Sequence, residues 1–206
     1  VPAIALLLDF DGVLRRWNTD YAAIESHCGL PAGALRRVAF SPELLTPAIS
    51  GMVSDDVWRE RVAAELQRQY SRSSAREAVA RWSASGGEVD PTVLAVLSRC
   101  RLELRLVLAT NATSRLSADL RSLGLAGRFY AVANSSELGA TKPSVEYFEA
   151  ALLRAKVRAS DALFVDDSPA NVEGASAVGI LAHHFTDHKA MSAFLHEAGA
   201  LTENAL

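Results

Sequence analysis

The 206 residues, 22.0 kDa in all, are enough for one large domain or two small ones. Half of them are hydrophobic and 22% are charged, which allows a sizeable core and excludes compositional disorder. A net charge of −3, from 21 basic and 24 acidic residues, argues against a nucleic-acid partner, because phosphate-polymer binders carry a basic excess.

Apolar runs such as Ala3 to Leu8 are too short to span a bilayer, so no membrane partner is expected. No stretch joins a basic start to an apolar middle and a small-residue cleavage site, and no secretion signal is expected. Two widely separated cysteines, Cys28 and Cys100, form no pairing pattern and suit a reducing, cytoplasmic setting. Only three of the 21 basic residues are lysines, namely Lys142, Lys156 and Lys189. A lysine here invites a reason.

In chain order, Ala3 to Leu8 is a continuous apolar run, the pattern of a parallel strand covered on both faces. From Arg15 to Gly87 the pattern turns helical. Ser54-Asp55-Asp56 reads as a helix start, followed by a stripe of Trp58, Val62, Leu66 and Tyr70. Ser73-Ser74 restarts a second helix that runs to about Ser83, and Gly86-Gly87 with Asp90-Pro91 breaks the pattern.

Helix and strand patterns then alternate. Helices are predicted at 91–99, 114–123, 145–155, 170–178 and 187–198, and strands at 104–109, 130–133, 162–165 and 180–182. That alternation predicts an α/β fold, a parallel sheet with helices on both faces. Residues 1–14 and 88–206 would form the core, with 15–87 inserted as an all-helical domain.

Ligands of open α/β sheets gather at the carboxyl ends of the strands. The residues expected there are Asp9-Phe10-Asp11-Gly12, then Thr110-Asn111, then Lys142-Pro143, and finally Asp166-Asp167. Taken singly, each has a bland reading. Asp-x-Asp and Thr-Asn occur as turns, Lys-Pro opens helices, and Asp-Asp-Ser-Pro caps them. Jointly they place four acids, a hydroxyl, an amide and a rare lysine on one edge.

On a strand continued straight, Asp9 and Asp11 would project to one face. Clustered carboxylates repel, and a hard divalent cation, Mg²⁺, resolves the conflict while leaving positions for a phosphate. Gly12 lets the chain turn and brings backbone N–H groups near an anion. Thr110 and Asn111 offer neutral donors to phosphate oxygens, and Lys142 a point charge. His183-His184 is read as structural, since neighbours on a strand face opposite ways.

The ordered set Asp9-Phe10-Asp11-Gly12-Val13, Thr110, Lys142-Pro143 and Phe164-Val165-Asp166-Asp167 resembles the four motifs of the haloacid dehalogenase superfamily of phosphohydrolases. The helical insertion resembles that superfamily's C1-type cap, and the run from Asp166 to Gly179 is similar to its small cytosolic phosphatases. The resemblance implies a Rossmann-like core and a Mg²⁺-dependent phosphatase acting on a small phosphorylated metabolite.

By the same resemblance, Asp9 would be the nucleophile, forming an aspartyl phosphate, and Asp11 the general acid and then base. Asp9, the Asp11 backbone carbonyl and Asp166 would bind Mg²⁺, with Asp167 a further ligand or a partner of Lys142. Gly12, Thr110, Asn111 and Lys142 would hold the phosphoryl group. The dehalogenase branch lacks an acid at the position of Asp11, and the phosphonate-cleaving branch needs a cap lysine, absent before Lys142. A sugar-phosphate mutase is the alternative within the family.

Outside the family, phospho-accepting receiver domains share the chemistry but place the acid pair first. Gly139 to Ser144 faintly echoes a nucleotide-binding loop without its glycine before the lysine. For substrate contacts the sequence offers Trp17 and Ser50-Gly51-Met52, with Trp17 and Met52 favoured as packing between insertion and core. Arg15 and Arg16 would face either an anionic substrate or solvent.

Overall fold

A strand with no polar face must be covered on both sides, and β1 (Ala5–Leu8) is: all four residues are buried. The computed structural model describes residues 3–71 and 73–202. After β1 come β2 (Arg15–Arg16), then α1 (Tyr21–His27), α2 (Ala34–Ala39), α3 (Pro42–Ile49), α4 (Asp55–Gln69) and α5 (Ala75–Ala84), then β3 (Glu88–Val89). The remainder alternates as α6 (Pro91–Leu97), β4 (Arg105–Thr110), α7 (Leu116–Ser122), β5 (Ala131–Asn134) and α8 (Ser135–Leu138). It closes with α9 (Val145–Ala155), β6 (Ala162–Asp166), α10 (Pro169–Ala177), β7 (Leu181–His184) and α11 (His188–Glu197).

Five strands form one parallel sheet in the order β5-β4-β1-β6-β7. β1 lies at its centre, paired with β4 on one side and β6 on the other. The chain therefore builds outward to β5 and returns to β6, placing a topological switch point at the end of β1. Side chains alternate across the sheet. Leu6 and Leu8 enter a core with α6, α7 and α11, whereas Ala5 and Leu7 face α9 and α10. The protein is thus a Rossmann-like α/β structure with helices on both faces.

Helices α1 to α5 enclose a separate apolar cluster around Leu35, Trp58, Val62, Leu66 and Trp82. The stripe on α4 turns inward as its spacing requires, with Ser54 Oγ accepting the amide of Val57 at the helix start (3.3 Å). Where the chain leaves and re-enters the core, β2 and β3 pair as a short antiparallel ribbon. Pairs of residues this short carry no sequence periodicity, and the ribbon was not expected. Among the described residues, no helix is long and apolar enough to cross a membrane.

Candidate active site

The strand ends do converge. Lys142 Nζ, almost fully buried, donates to Asp9 Oδ1 (2.7 Å), Asp166 Oδ2 (2.6 Å) and the Ala109 carbonyl (2.9 Å). Three partners use all three of its protons. It is therefore Asp166, rather than Asp167, that pairs with the lysine. Asp166 spends its other oxygen on the Ser168 amide (2.8 Å) and the Asn171 side chain (2.9 Å), which fixes its carboxylate at the start of α10. Asp9 Oδ1 also accepts from the amide of Phe10 (2.7 Å), while Asp9 Oδ2 has no hydrogen-bond partner among the described residues.

Asn111 lies at the mouth of this cluster and makes two bonds to the backbone of Lys142. Its Oδ1 accepts the Lys142 amide (2.8 Å) and its Nδ2 donates to the Lys142 carbonyl (3.0 Å). It thereby positions the lysine, a use the sequence reading did not foresee. Thr110 is buried at the end of β4. Gly12 has a positive φ of 86°, and a Cβ there would collide with the Asp167 carboxylate, so only glycine lets that acid close over the turn.

Asp9, Asp166 and Asp167 can each bring one carboxylate oxygen within 4.8 Å of the others. Three hard oxygen donors against a single buried ammonium suit a cation such as Mg²⁺. Burial pushes the Asp9 carboxyl up to about 7, against the pull of Lys142 and with a further push from Asp166. Asp167 is raised as well, by burial first and then by Asp166.

A pH dependence follows. Because Asp9 binds its proton more tightly when folded than when unfolded, its contribution to stability is complete below about pH 4 and lost as pH rises through about 7. In EDTA, the melting temperature of the wild type should therefore fall relative to Asp9→Asn between pH 5 and 8, and Mg²⁺ should close the gap. A difference independent of pH would show that Asp9 titrates normally.

The Asp11 side chain departs from the straight-strand expectation. The chain turns after Asp9, and Asp11 meets Arg15 in a two-pronged ion pair (2.6 and 2.9 Å) and the Trp17 indole (2.8 Å). Arg15, 3% exposed, is stacked between the rings of Phe10 and Trp17 and also donates to Asp119 (2.8 Å). It is withdrawn from solvent and lines the cavity between insertion and core, with its guanidinium already committed to these two carboxylates. Arg16 is exposed and pairs with Asp90 (3.3 Å). A buried arginine four residues after an aspartate gave only a spacing to go on, and Asp119 gave none.

The insertion seats on the core beside Asp11. Asp55 at the start of α4 accepts from Thr113 Oγ1 (2.7 Å) and its amide donates to Ser114 Oγ (3.0 Å), while Arg115 donates to the Ser83 carbonyl (2.8 Å). A cavity of about 400 Å³ lies between the two parts, floored by Asp11 and Asn111. Trp17 lines it. Ser50, Gly51 and Met52 do not: Ser50 bonds back to Thr46, Gly51 abuts the Ser136 carbonyl, and Met52 is 77% exposed and packs nothing between insertion and core. His183 stacks on Phe194, and His184 reaches the Asp167 carbonyl (3.0 Å).

Fold and site together define a Rossmann-like protein with a lysine-bridged acid cluster at its switch point. A family model for haloacid dehalogenase-like hydrolases matches residues 5–179, and the chain belongs to that family. Its fold is similar to that of a HAD family enzyme from Bacteroides thetaiotaomicron in complex with magnesium and inorganic phosphate (TM-score 0.68, 17% identity, covering 89% of this chain and 94% of that one). It is also similar to L-2-haloacid dehalogenase from Xanthobacter autotrophicus with chloropropionic acid covalently bound (TM-score 0.65, 18% identity, covering 98% and 86%). A 2-haloacid dehalogenase from Pseudomonas syringae shares the fold too (TM-score 0.64, 24% identity, covering 89% and 86%).

Proposed function

We propose that the protein is a Mg²⁺-dependent phosphatase that hydrolyses a small phosphorylated metabolite through an aspartyl phosphate on Asp9. The observation that carries this reading is the bridging of Asp9 and Asp166 by Lys142, with Asp167 close enough to complete a cation site. The magnesium and phosphate held by the Bacteroides enzyme of similar fold add support. Bound Mg²⁺, held by Asp9, Asp166 and Asp167, would neutralise charge on the transferring phosphoryl group.

Asp9 Oδ2, which has no hydrogen-bond partner among the described residues, attacks phosphorus, and the ester P–O bond breaks as Asp11, released from Arg15 and protonated from solvent, gives that proton to the departing alkoxide. Water then attacks the aspartyl phosphate, passing a proton back to Asp11 as the bond between Asp9 and phosphorus breaks. Lys142 holds Asp9 Oδ1 in place throughout, which aims the other oxygen. Between turnovers Arg15 and Trp17 hold the Asp11 carboxylate at the cavity floor, with both of its oxygens accepting hydrogen bonds. Phosphate monoesters hydrolyse extremely slowly unaided, and positioning with electrostatic stabilisation supplies what that reaction lacks.

A dehalogenase has no use for an acid that protonates a leaving oxygen, and Asp11 is held at the floor of the cavity. Release of inorganic phosphate from an aryl phosphate should require Mg²⁺ and stop in EDTA, and 2-chloropropionate should yield no chloride. Undiminished turnover in EDTA, or halide release without phosphatase activity, would overturn the assignment.

A further inference from the structure

The charges lining the cavity between insertion and core do not cancel. Its three acids, Asp11, Asp55 and Asp119, are each committed to an arginine of the same wall. Asp11 and Asp119 share Arg15, Asp119 also takes Arg115 (2.8 Å), and Asp55 takes Arg59 (2.6 Å). The fourth arginine is Arg36 on α2. Among the described residues its side chain has no hydrogen bond or ion pair, and it lies over the ring of Tyr21 at 5.2 Å. Among the described residues, one exposed cation lining the cavity is thus left without a counter-charge.

Much of the rest of the wall is apolar, with aromatic rings beside the aliphatic Leu45, Ile49 and Leu116. Phe40, Trp58 and Trp82 meet edge to face, with ring centroids 5.2 to 6.3 Å apart, and Trp17 and Tyr21 add two more rings. Most other polar side chains of the lining already bond one another, which leaves few for a sugar's several hydroxyls. Asp55 holds Thr113 and Arg59, and Thr19 holds Ser85 (2.9 Å). At about 400 Å³ the cavity falls within the roughly 300–1,000 Å³ of small-molecule sites.

We propose that this cavity takes the organic part of the substrate as an aromatic or apolar body bearing one carboxylate, which Arg36 binds. The inference rests on the phosphatase reading for the phosphate end. A planar guanidinium matches a carboxylate with two parallel hydrogen bonds. A second phosphate, at about −1.5 to −2, would be only partly neutralised by Arg36 in a wall that also carries three acids.

All three tryptophans of the chain line the cavity, so their fluorescence reports its occupancy. The test compares benzylphosphonate with 4-(phosphonomethyl)benzoate, two ligands whose C–P bond a phosphatase does not cleave, on the wild type and on Arg36→Gln with Mg²⁺ present. The wild type should bind the carboxylated ligand about tenfold more tightly, the discrimination a charge-assisted hydrogen bond supplies at a partly open site. Arg36→Gln should bind the two equally. Equal affinities in the wild type, a preference that survives in Arg36→Gln, or no fluorescence response to either ligand would overturn the proposal. Turnover of phenyl phosphate and 4-carboxyphenyl phosphate by the wild type judges the phosphatase reading separately. If both esters are hydrolysed but the phosphonates bind alike, only the cavity assignment fails.

Discussion

Asparagine in place of Asp9 is expected to cut phosphate release by about 10⁴-fold or more, in keeping with the loss of a covalent nucleophile. The side chain keeps its size, and its amide oxygen can still accept from Phe10 and Lys142, the bonds that hold Asp9 Oδ1. The fold should therefore survive. Above pH 7 the metal-free variant should melt no lower than the wild type, because burial disfavours the charged Asp9 carboxylate and asparagine carries no charge there. Phosphate release measured alongside thermal melting separates the two effects. Lost activity with an intact fold is the expected pairing, and near-normal turnover would remove Asp9 from the chemistry.

The second large effect belongs to Lys142→Met. Among the described residues the lysine is the one cation bonded to both Asp9 and Asp166, and Asp166 is fully buried. Removing it leaves two carboxylates facing each other in the interior, a loss of about 3–5 kcal/mol for a broken buried pair. The loss should be greatest in EDTA at pH 8. It should shrink at pH 5, where protonation of Asp9 relieves the repulsion, and shrink again with Mg²⁺. Urea unfolding under the three conditions gives the comparison. Activity should fall about 10²–10³-fold, as when a preorganised charge at a transition state is lost. A uniform loss of stability across pH and metal would mean that Lys142 acts by packing alone.

Much of this site was legible because its parts follow apolar runs. Each of Asp9, Thr110 and Asp166 ends or follows a strand of the central sheet, so strand order alone brings them together. Lys142 stood out by rarity, and helix α9 begins where Ser144 can cap it. The course of the chain beyond Asp9 was not legible. A tight turn at Gly12 sends Asp11 to Arg15 and Trp17, and neither partner follows from strand periodicity.

The cavity was hidden for a similar reason. Arg36, Trp58 and Asp119 are distant in sequence, and their convergence on one cavity depends on how five helices pack on the core. Asp55 read as a helix-start acid, which it is. Its hydrogen bond to Thr113 belongs to the contact between insertion and core and has no signature in the chain. Ser50 to Met52 drew attention through their place before the long helix of the insertion, yet the structure turns them away from the cavity.

Trapping the intermediate tests the account most directly. In Asp11→Asn, the first transfer should outlast the second, because the group that activates water is gone. Brief incubation with Mg²⁺ and a radiolabelled aryl phosphate, acid quenching and peptide mapping should place the phosphoryl group on the peptide that carries Asp9. Label on any other residue, or sustained turnover in Asp9→Asn with no label on the enzyme, would contradict it.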